Sequence, residues 1–199
     1  MLFSNAIITS LIAAVSVSGA PIETRDEVAF KPSALWKYNV GTGAITASVV
    51  GEVDKSNGNH GQDLTTLITF TYPPEATGQK CQFAFGLHPD DTLTGSKKLD
   101  LYTSNKPATA STTTWGPGNQ RNIHLGRLNM VSGGEATWEG KYSSYLTNKV
   151  DCKPAGTVEG FEVVGVYDTD RVSWNPIYRG PRIIITPIKG IMKILDYGI

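Results

Sequence analysis

Residues 81–87 of this 199-residue chain read CQFAFGL, in which apolar side chains alternate with small or polar ones. Because successive side chains of a β-strand point to opposite faces, this period of two predicts a strand with Phe83 and Phe85 on one face. Cys81 shares that face, so its sulfur is expected in the core. Among stretches of about eleven residues or more, none shows a convincing helical period of 3.6 residues. The segment therefore indicates a β fold.

The same alternation recurs along the chain between turn-forming residues. Pro73 and Pro74 close one such run, since proline cannot donate a hydrogen bond to a strand ladder. Short strands separated by turn signals are typical of a β-sandwich. We expect an all-β protein, a single-domain antiparallel β-sandwich of about 8–10 strands with one disulfide. The further predicted strands are residues 36–40, 45–53, 64–72, 99–101, 123–125, 135–138, 158–167 and 182–186.

The disulfide is expected because the chain has two cysteines, Cys81 and Cys152. In a secreted protein, two cysteines indicate one bridge between them. The bridge would close the long loop from Cys81 to Cys152, which should stabilise the fold by roughly 4 kcal/mol. The alternative is a pair of buried free thiols.

The N-terminus has the layout of a secretory signal peptide. Its first twenty residues carry no charge, and the mainly apolar residues 6–17 are followed by Ser18, Gly19 and Ala20. This block is too short for a membrane span of about 20 residues, although a short buried helix is an alternative. We therefore expect a secreted, extracellular protein. We divide the chain into a signal peptide at 1–19, a flexible leader at 20–31, the sandwich domain at 32–187 and a C-terminal tail at 188–199.

Charge balance disfavours two classes of partner. The 18 lysines and arginines are matched by 18 aspartates and glutamates, so the formal net charge is zero. A protein that binds nucleic acid or an anionic membrane usually carries a basic excess. We expect neither partner.

Residues 111–128 read STTTWGPGNQRNIHLGRL and combine the side chains most suited to recognition. The Gly-Pro-Gly corner predicts a sharp reversal, and a strand is expected to leave it. Tryptophan offers a face for stacking, arginine a planar fork and histidine a donor or acceptor. The candidate ligand-binding residues are Trp115, Asn119, Arg121, His124 and Arg127.

This segment also has a structural interpretation. If Ile123 and Leu125 point inward, His124 points outward. Arg121 and Asn119 would then hold carbonyls of the long connection at 103–119, which we expect to cross between the two sheets. In that interpretation Trp115 plugs the end of the sandwich.

Catalytic and metal-binding patterns are weak. A glycoside hydrolase needs two carboxylates across a cleft, and Asp168 and Asp170 are the nearest approach to such a pair. The nucleophile motif Gly-X-Ser-X-Gly does not occur. The three histidines, His60, His88 and His124, lack the spacing of a metal site. We assign no catalytic residue, no metal ligand and no cofactor.

Five segments of the chain occur in the same order and with similar spacing as in a fungal family, the But-two C-terminal domain, and the chain resembles that family. They are residues 61–71, 80–85, 115–128, 134–138 and 152–156, and the resemblance covers about residues 35–187. It implies a secreted or wall-associated β-sandwich. The family name implies an activating enzyme of a ubiquitin-like modifier as partner, but a cytosolic enzyme is out of reach of an exported protein.

We therefore expect a secreted, non-catalytic fungal protein of the cell wall or extracellular space that binds carbohydrate or protein. The alternatives are a polysaccharide hydrolase with an unidentified carboxylate pair and a purely structural wall protein.

Overall fold

The computed structural model describes residues 28–115 and 120–188, which contain fourteen β-strands and two short 3-10 turns. The predicted signal peptide, residues 20–27 of the leader and residues 189–199 of the tail lie outside the described residues. The strands are β1 (Ala29–Phe30), β2 (Ala34–Asn39), β3 (Ile45–Ser48), β4 (Gly51–Ser56), β5 (Leu64–Thr71), β6 (Lys80–Phe85), β7 (Thr92–Gly95), β8 (Lys98–Ser104), β9 (Arg121–Asn129), β10 (Thr137–Lys141), β11 (Val150–Asp151), β12 (Val158–Gly165), β13 (Thr169–Trp174) and β14 (Pro181–Thr186); the turns are Asn57–Asn59 and Pro74–Ala76.

The strands form two antiparallel sheets. The small sheet has the order β1-β14-β6-β11. The large, ten-stranded sheet has the order β10-β9-β8-β12-β5-β4-β13-β7, with β2 also paired to β5 and β3 paired to β2. The predicted class, an all-β antiparallel sandwich, is confirmed. The strand number exceeds the expected range because four short or polar strands, β1, β7, β11 and β13, carry little apolar alternation, and because residues 45–53 divide into β3 and β4.

Aromatic side chains join the two sheets. Phe83 of the small sheet contacts both Phe70 and Phe161 of the large sheet, and its ring centroid lies 6.5 and 6.3 Å from theirs. Cys81, Phe83 and Phe85 are buried, and the residues between them are partly exposed, as the alternation in β6 predicts. The core therefore occupies the space between the inner faces of the sheets.

The two cysteines form the predicted disulfide, Cys81–Cys152. Cys81 is fully buried in the core, whereas Cys152, which follows β11, is partly buried at its margin. The bridge ties β6 to a segment 71 residues away along the chain. Since β11 pairs with β6 through only two residues, the covalent link holds this edge of the small sheet.

The connection between β8 and β9 does not cross between the sheets as expected. These strands are antiparallel neighbours in the large sheet. The connection instead lies over the outer face of that sheet, where Ile45 donates a hydrogen bond to Thr113 O and Trp115 donates one to Gly43 O. It covers a second apolar cluster that includes Trp36, Leu67 and Trp115. As far as residues 28–115 and 120–188 show, the outer face of the large sheet is thus covered on one side and open on the other.

In the part of the chain that the structure describes, no helix has the length and apolar character needed to cross a membrane.

Removing the disulfide should destabilise the fold without changing its topology. The double variant Cys81→Ser, Cys152→Ser is expected to lose about 4 kcal/mol of unfolding free energy, because the unfolded chain gains the freedom that the bridge removes. Urea denaturation of the variant and of the reduced parent protein measures this loss. Equal midpoints for the oxidised parent protein and the variant would contradict the expectation.

Candidate ligand-binding face

Strand β9 brings three of the predicted recognition residues, Arg121, His124 and Arg127, to the outer face of the large sheet. In a regular strand, positions 121 and 124 would point to opposite faces. The pairing of β8 with β9 contains two register shifts, one on each side of Tyr102, and His124 lies opposite this tyrosine. Bulges of this kind re-aim side chains. They explain why Leu125 is buried as predicted, whereas Ile123 is 47% exposed and not inward.

Two of these residues hold buried carboxylates. Arg121 donates two hydrogen bonds to Glu162, at 2.8 Å each, and Thr65 donates a third at 2.7 Å. Glu162 is fully buried on β12. We expected Arg121 to hold backbone carbonyls of the long connection. In the structure its guanidinium binds a side-chain carboxylate of the large sheet, that of Glu162.

Arg127 makes an equivalent pair with Asp100 of β8. Its guanidinium donates to both carboxylate oxygens at 2.7 and 2.9 Å. These hydrogen bonds raise the pKa of Arg127 above its ordinary value. Forked arginine–carboxylate pairs fix orientation as well as charge, so Arg127 has a defined position on the face.

Tyrosine rings lie beside these pairs. The Tyr102 ring stacks on His124, with centroids 4.3 Å apart and planes 16° apart, and Tyr142 contacts the same imidazole at 4.6 Å. Arg127 lies over Tyr167, with its guanidinium carbon 5.1 Å from the ring centroid, and donates to the hydroxyl at 3.0 Å. Tyr142 and Tyr167 are 58% and 57% exposed. We call this surface, formed by Tyr102, Arg121, His124, Arg127, Tyr142 and Tyr167, the aromatic face.

Three cation–carboxylate pairs lie in or beside the aromatic face. The pairs are Arg121 with Glu162 and Arg127 with Asp100, as described, and Lys98 with Glu139 at 2.7 Å. A ligand that meets this surface encounters ring faces and polar edges, and within each of these pairs the positive and negative charges compensate each other. The arrangement suits an uncharged, hydroxyl-rich or aromatic ligand.

Trp115 lies on the same outer face but does not join the aromatic face. It is buried, and its ring is 5.1 Å from that of Tyr38 in the second apolar cluster. It covers the sheet and does not plug the end of the sandwich. Asn119 and the Gly-Pro-Gly corner lie outside the described residues. Trp36 and Trp174 are buried and Trp138 is partly buried against Phe83, which agrees with packing roles.

Sequence reasoning missed the partners of these residues. Asp100 and Tyr102 could have been found, because they alternate with Leu99 and Leu101 and must therefore point away from the core. Tyr142 follows the end of β10, where no periodicity reports direction. Tyr167 is the last residue of the predicted strand 158–167, but β12 ends at Gly165, so the alternation does not extend to this tyrosine.

The buried carboxylates of the described chain have structural partners. Asp170 accepts hydrogen bonds from the Ser96 hydroxyl at 2.6 Å and from the backbone amides of Lys97 and Val166. It is fully buried, whereas Asp168 is exposed, so the two do not converge on a cleft. Within residues 28–115 and 120–188, no three His, Cys, Asp or Glu side chains are grouped to hold a metal ion.

A further carboxylate, Glu159, bridges two tyrosines near the disulfide. Tyr72 donates to one of its oxygens at 2.7 Å and Tyr145 to the other at 2.5 Å. Burial, and then the neighbouring carboxylate, raise the pKa of both tyrosines above the ordinary value of about 10. The cluster ties β12 to the end of β5 and to the segment before β11.

These features define a class: an all-β, antiparallel sandwich closed by one disulfide. A family model described as "Ubiquitin 3 binding protein But2 C-terminal domain" matches residues 41–176. The chain belongs to this family, which confirms the resemblance found in the sequence. The family's description is that of a binding protein, not of an enzyme. Comparison with curated proteins gave no match.

Replacing Arg121 should cost far more stability than replacing an exposed arginine. Arg121→Ala leaves the fully buried Glu162 without its cation, and we expect a loss of about 3–5 kcal/mol of unfolding free energy. Arg171→Ala is the matched control, since Arg171 is exposed and lies 3.9 Å from its partner Asp54; its loss should stay below about 0.5 kcal/mol. Similar urea midpoints for the two variants would contradict the assigned role.

The tyrosine pair on Glu159 should make stability fall at alkaline pH. Above pH ~10 the unfolded chain releases these two protons while the folded chain retains them, so the stabilisation present below pH ~10 is lost as the pH rises. Each tyrosine adds a slope of about 1.4 kcal/mol per pH unit in this range. The double variant Tyr72→Phe, Tyr145→Phe should show a shallower decline in urea titrations from pH 9 to 11, with the exposed Tyr178→Phe as control. An unchanged slope in the double variant would show that these tyrosines are not responsible.

Proposed function

We propose that this protein is a non-catalytic binding module that acts outside the cell, in the fungal cell wall or the extracellular space. The charge-free apolar N-terminus supports export. The disulfide is consistent with an oxidising compartment, because such bonds persist in secreted proteins and are rare in the cytosol.

The main support for this binding surface is a pair of exposed tyrosines, Tyr142 and Tyr167. They are held beside Arg127, which is already paired with Asp100. His124 contacts the first ring and Arg127 the second. Rigid aromatic side chains bind at low entropic cost, and their rings provide apolar faces for stacking. Because Arg121 and Arg127 already have carboxylate partners, we expect the rings and not these cations to provide the main contact, and a neutral polysaccharide is the ligand that this surface suits.

A protein partner is the second candidate. The family's description names a protein as what its member binds. Strand β10 is also an edge of the large sheet in the described part of the chain, and it lies beside the aromatic face. An edge strand can pair with an extended segment of another protein.

Co-sedimentation with insoluble chitin, β-glucan and mannan tests the first candidate. The purified mature protein should pellet with at least one polysaccharide, and no sugar should be released in the same tube. Released sugar would contradict the non-catalytic assignment in favour of a hydrolase. If the protein stays in the supernatant with all three, the polysaccharide proposal is wrong, and the protein partner or a purely structural role takes its place.

Variants of the exposed tyrosines test whether the aromatic face is the surface that retains the protein on the polysaccharide. Tyr142→Ala and Tyr167→Ala should each weaken retention by up to about tenfold, because a stacking contact contributes on the order of 1 kcal/mol. Ile177→Ala is the matched control, since this apolar side chain is also exposed and lies outside the face. Unchanged melting temperatures would show that the fold is intact. Equal retention by all three variants would contradict the assignment of the binding surface.

A further inference from the structure

The connection between β8 and β9 carries a hydroxyl-rich segment on the outer face of the large sheet. Residues 109–114 read TASTTT, so five of these six side chains carry a hydroxyl group. We call these residues the hydroxyl segment. None of them belongs to the aromatic face, so the binding proposal does not explain them. Pro107 lies just before them, and segments rich in Ser and Thr with proline are typical of chains that carry O-linked sugars.

Buried residues hold the hydroxyl segment at both ends. Ala108, directly before it, is 3% exposed, and its carbonyl accepts a hydrogen bond from the Thr69 hydroxyl at 3.0 Å. Trp115, directly after it, is buried in the second apolar cluster. The segment between these two anchors lies outside the cluster and forms a surface loop whose position is defined by the sheet beneath it.

Three side chains of the hydroxyl segment, Thr109, Ser111 and Thr113, are exposed. The amide of Thr112 donates to Thr109 O at 2.8 Å, which closes a tight turn. The hydroxyls of Thr109 and Ser111 lie 3.0 Å apart on this turn and bond to each other. Within residues 28–115 and 120–188, no group outside the segment forms a hydrogen bond with these three hydroxyls. The fold therefore does not need them as donors.

The other two hydroxyls of the segment have structural partners. Thr112 is only partly exposed, and its oxygen accepts from the amide of Thr109 at 3.0 Å. Thr114 donates to the carbonyls of Gly43 and Trp115 at 3.1 and 3.2 Å. A group attached to the Thr114 oxygen would remove the proton that makes these hydrogen bonds. The structure thus separates three available hydroxyls from two that are in use.

The backbone of the hydroxyl segment is also more accessible than that of a strand. An enzyme that modifies a hydroxyl must reach it together with the chain on either side, and surface loops allow this approach. Thr46 of β3 is a useful contrast, because it is equally exposed but lies in a strand and pairs with Lys37 of β2. Exposure alone therefore does not distinguish the segment, whereas exposure within a loop does.

We propose that Thr109, Ser111 and Thr113 are sites of O-linked glycosylation. In the transfer, the hydroxyl oxygen attacks the anomeric carbon of a sugar that is activated as a phosphate ester. The bond between oxygen and this carbon forms, the bond from the carbon to the phosphate oxygen breaks, and the phosphate leaves with the bonding electrons. The hydroxyl proton passes to a base of the transferase. The proposal rests on export, one part of the proposed function, because glycans of this kind are added during export.

Mass spectrometry of the full chain secreted by a fungal host tests the proposal, with the protein produced in bacteria as the unmodified reference. We expect increments of whole sugar units on the tryptic peptide 99–121, which contains the entire segment because trypsin does not cut between Lys106 and Pro107. The size of the increment distinguishes a hexose from an N-acetylhexosamine.

The triple variant Thr109→Ala, Ser111→Ala, Thr113→Ala should lose every increment on this peptide. Its melting temperature should equal that of the parent chain when both are produced in bacteria, because these hydroxyls hold nothing outside the segment. Thr46→Ala is the matched control, since it removes an equally exposed hydroxyl from a strand, and it should retain all increments.

Four outcomes would overturn the proposal: a secreted protein with the mass of the bacterial one, sugars found only outside residues 109–114, increments that persist in the triple variant, or phosphate in place of sugar. A second chain, exported by a signal peptide of the host, tests the acceptor residues independently of the protein's own N-terminus. If only this second chain reaches the medium, the export proposal is wrong. If both reach it unmodified, export stands and the glycosylation proposal is wrong.

Discussion

The ion pair between Glu162 and Arg121 is the constraint on which the outer face of the large sheet depends. A carboxylate with no exposure to solvent must be paired, because an isolated buried charge is far too costly to keep. Thr65 and Arg121 satisfy it from β5 and β9, so strands on both sides of β12 are tied to one group. Arg121 is the first residue of β9, so its hydrogen bonds to Glu162 fix where this strand begins. The Arg121–Glu162 ion pair also marks the boundary between the covered half and the open half of the outer face.

The two halves of the outer face differ in what packs against them. On the covered side, the connection between β8 and β9 buries Trp115 against Tyr38, and burial followed by the charge of Glu162 raises the pKa of Tyr38. On the open side, the same arginine lies over Tyr102, with its guanidinium carbon 5.4 Å from the ring centroid, and the exposed tyrosines follow. The open side of the large sheet thus presents the aromatic face, in which Arg121 and Arg127 are paired with carboxylates.

Much of the fold could be predicted from the sequence, because β6 and β12 carry an apolar pattern that reports burial. The disulfide followed from the number of cysteines, and the family followed from ordered segments such as 115–128. The course of the long connection could not be predicted. Alternation shows that two faces differ, but it does not show that β8 and β9 are neighbours in one sheet. The bulges beside Tyr102 were also invisible, since they arise from pairing between strands, and they placed Ile123 outside and His124 on the face.

The most direct test of the account is the position of the binding surface on the folded protein. Amide spectra of the labelled protein, recorded with and without a soluble oligosaccharide of the polysaccharide that pellets it, would map that surface. If the aromatic face binds the ligand, shifts are expected only in β8, β9, β10 and the turn at Tyr167. Shifts that spare these strands and fall on the small sheet instead would contradict it.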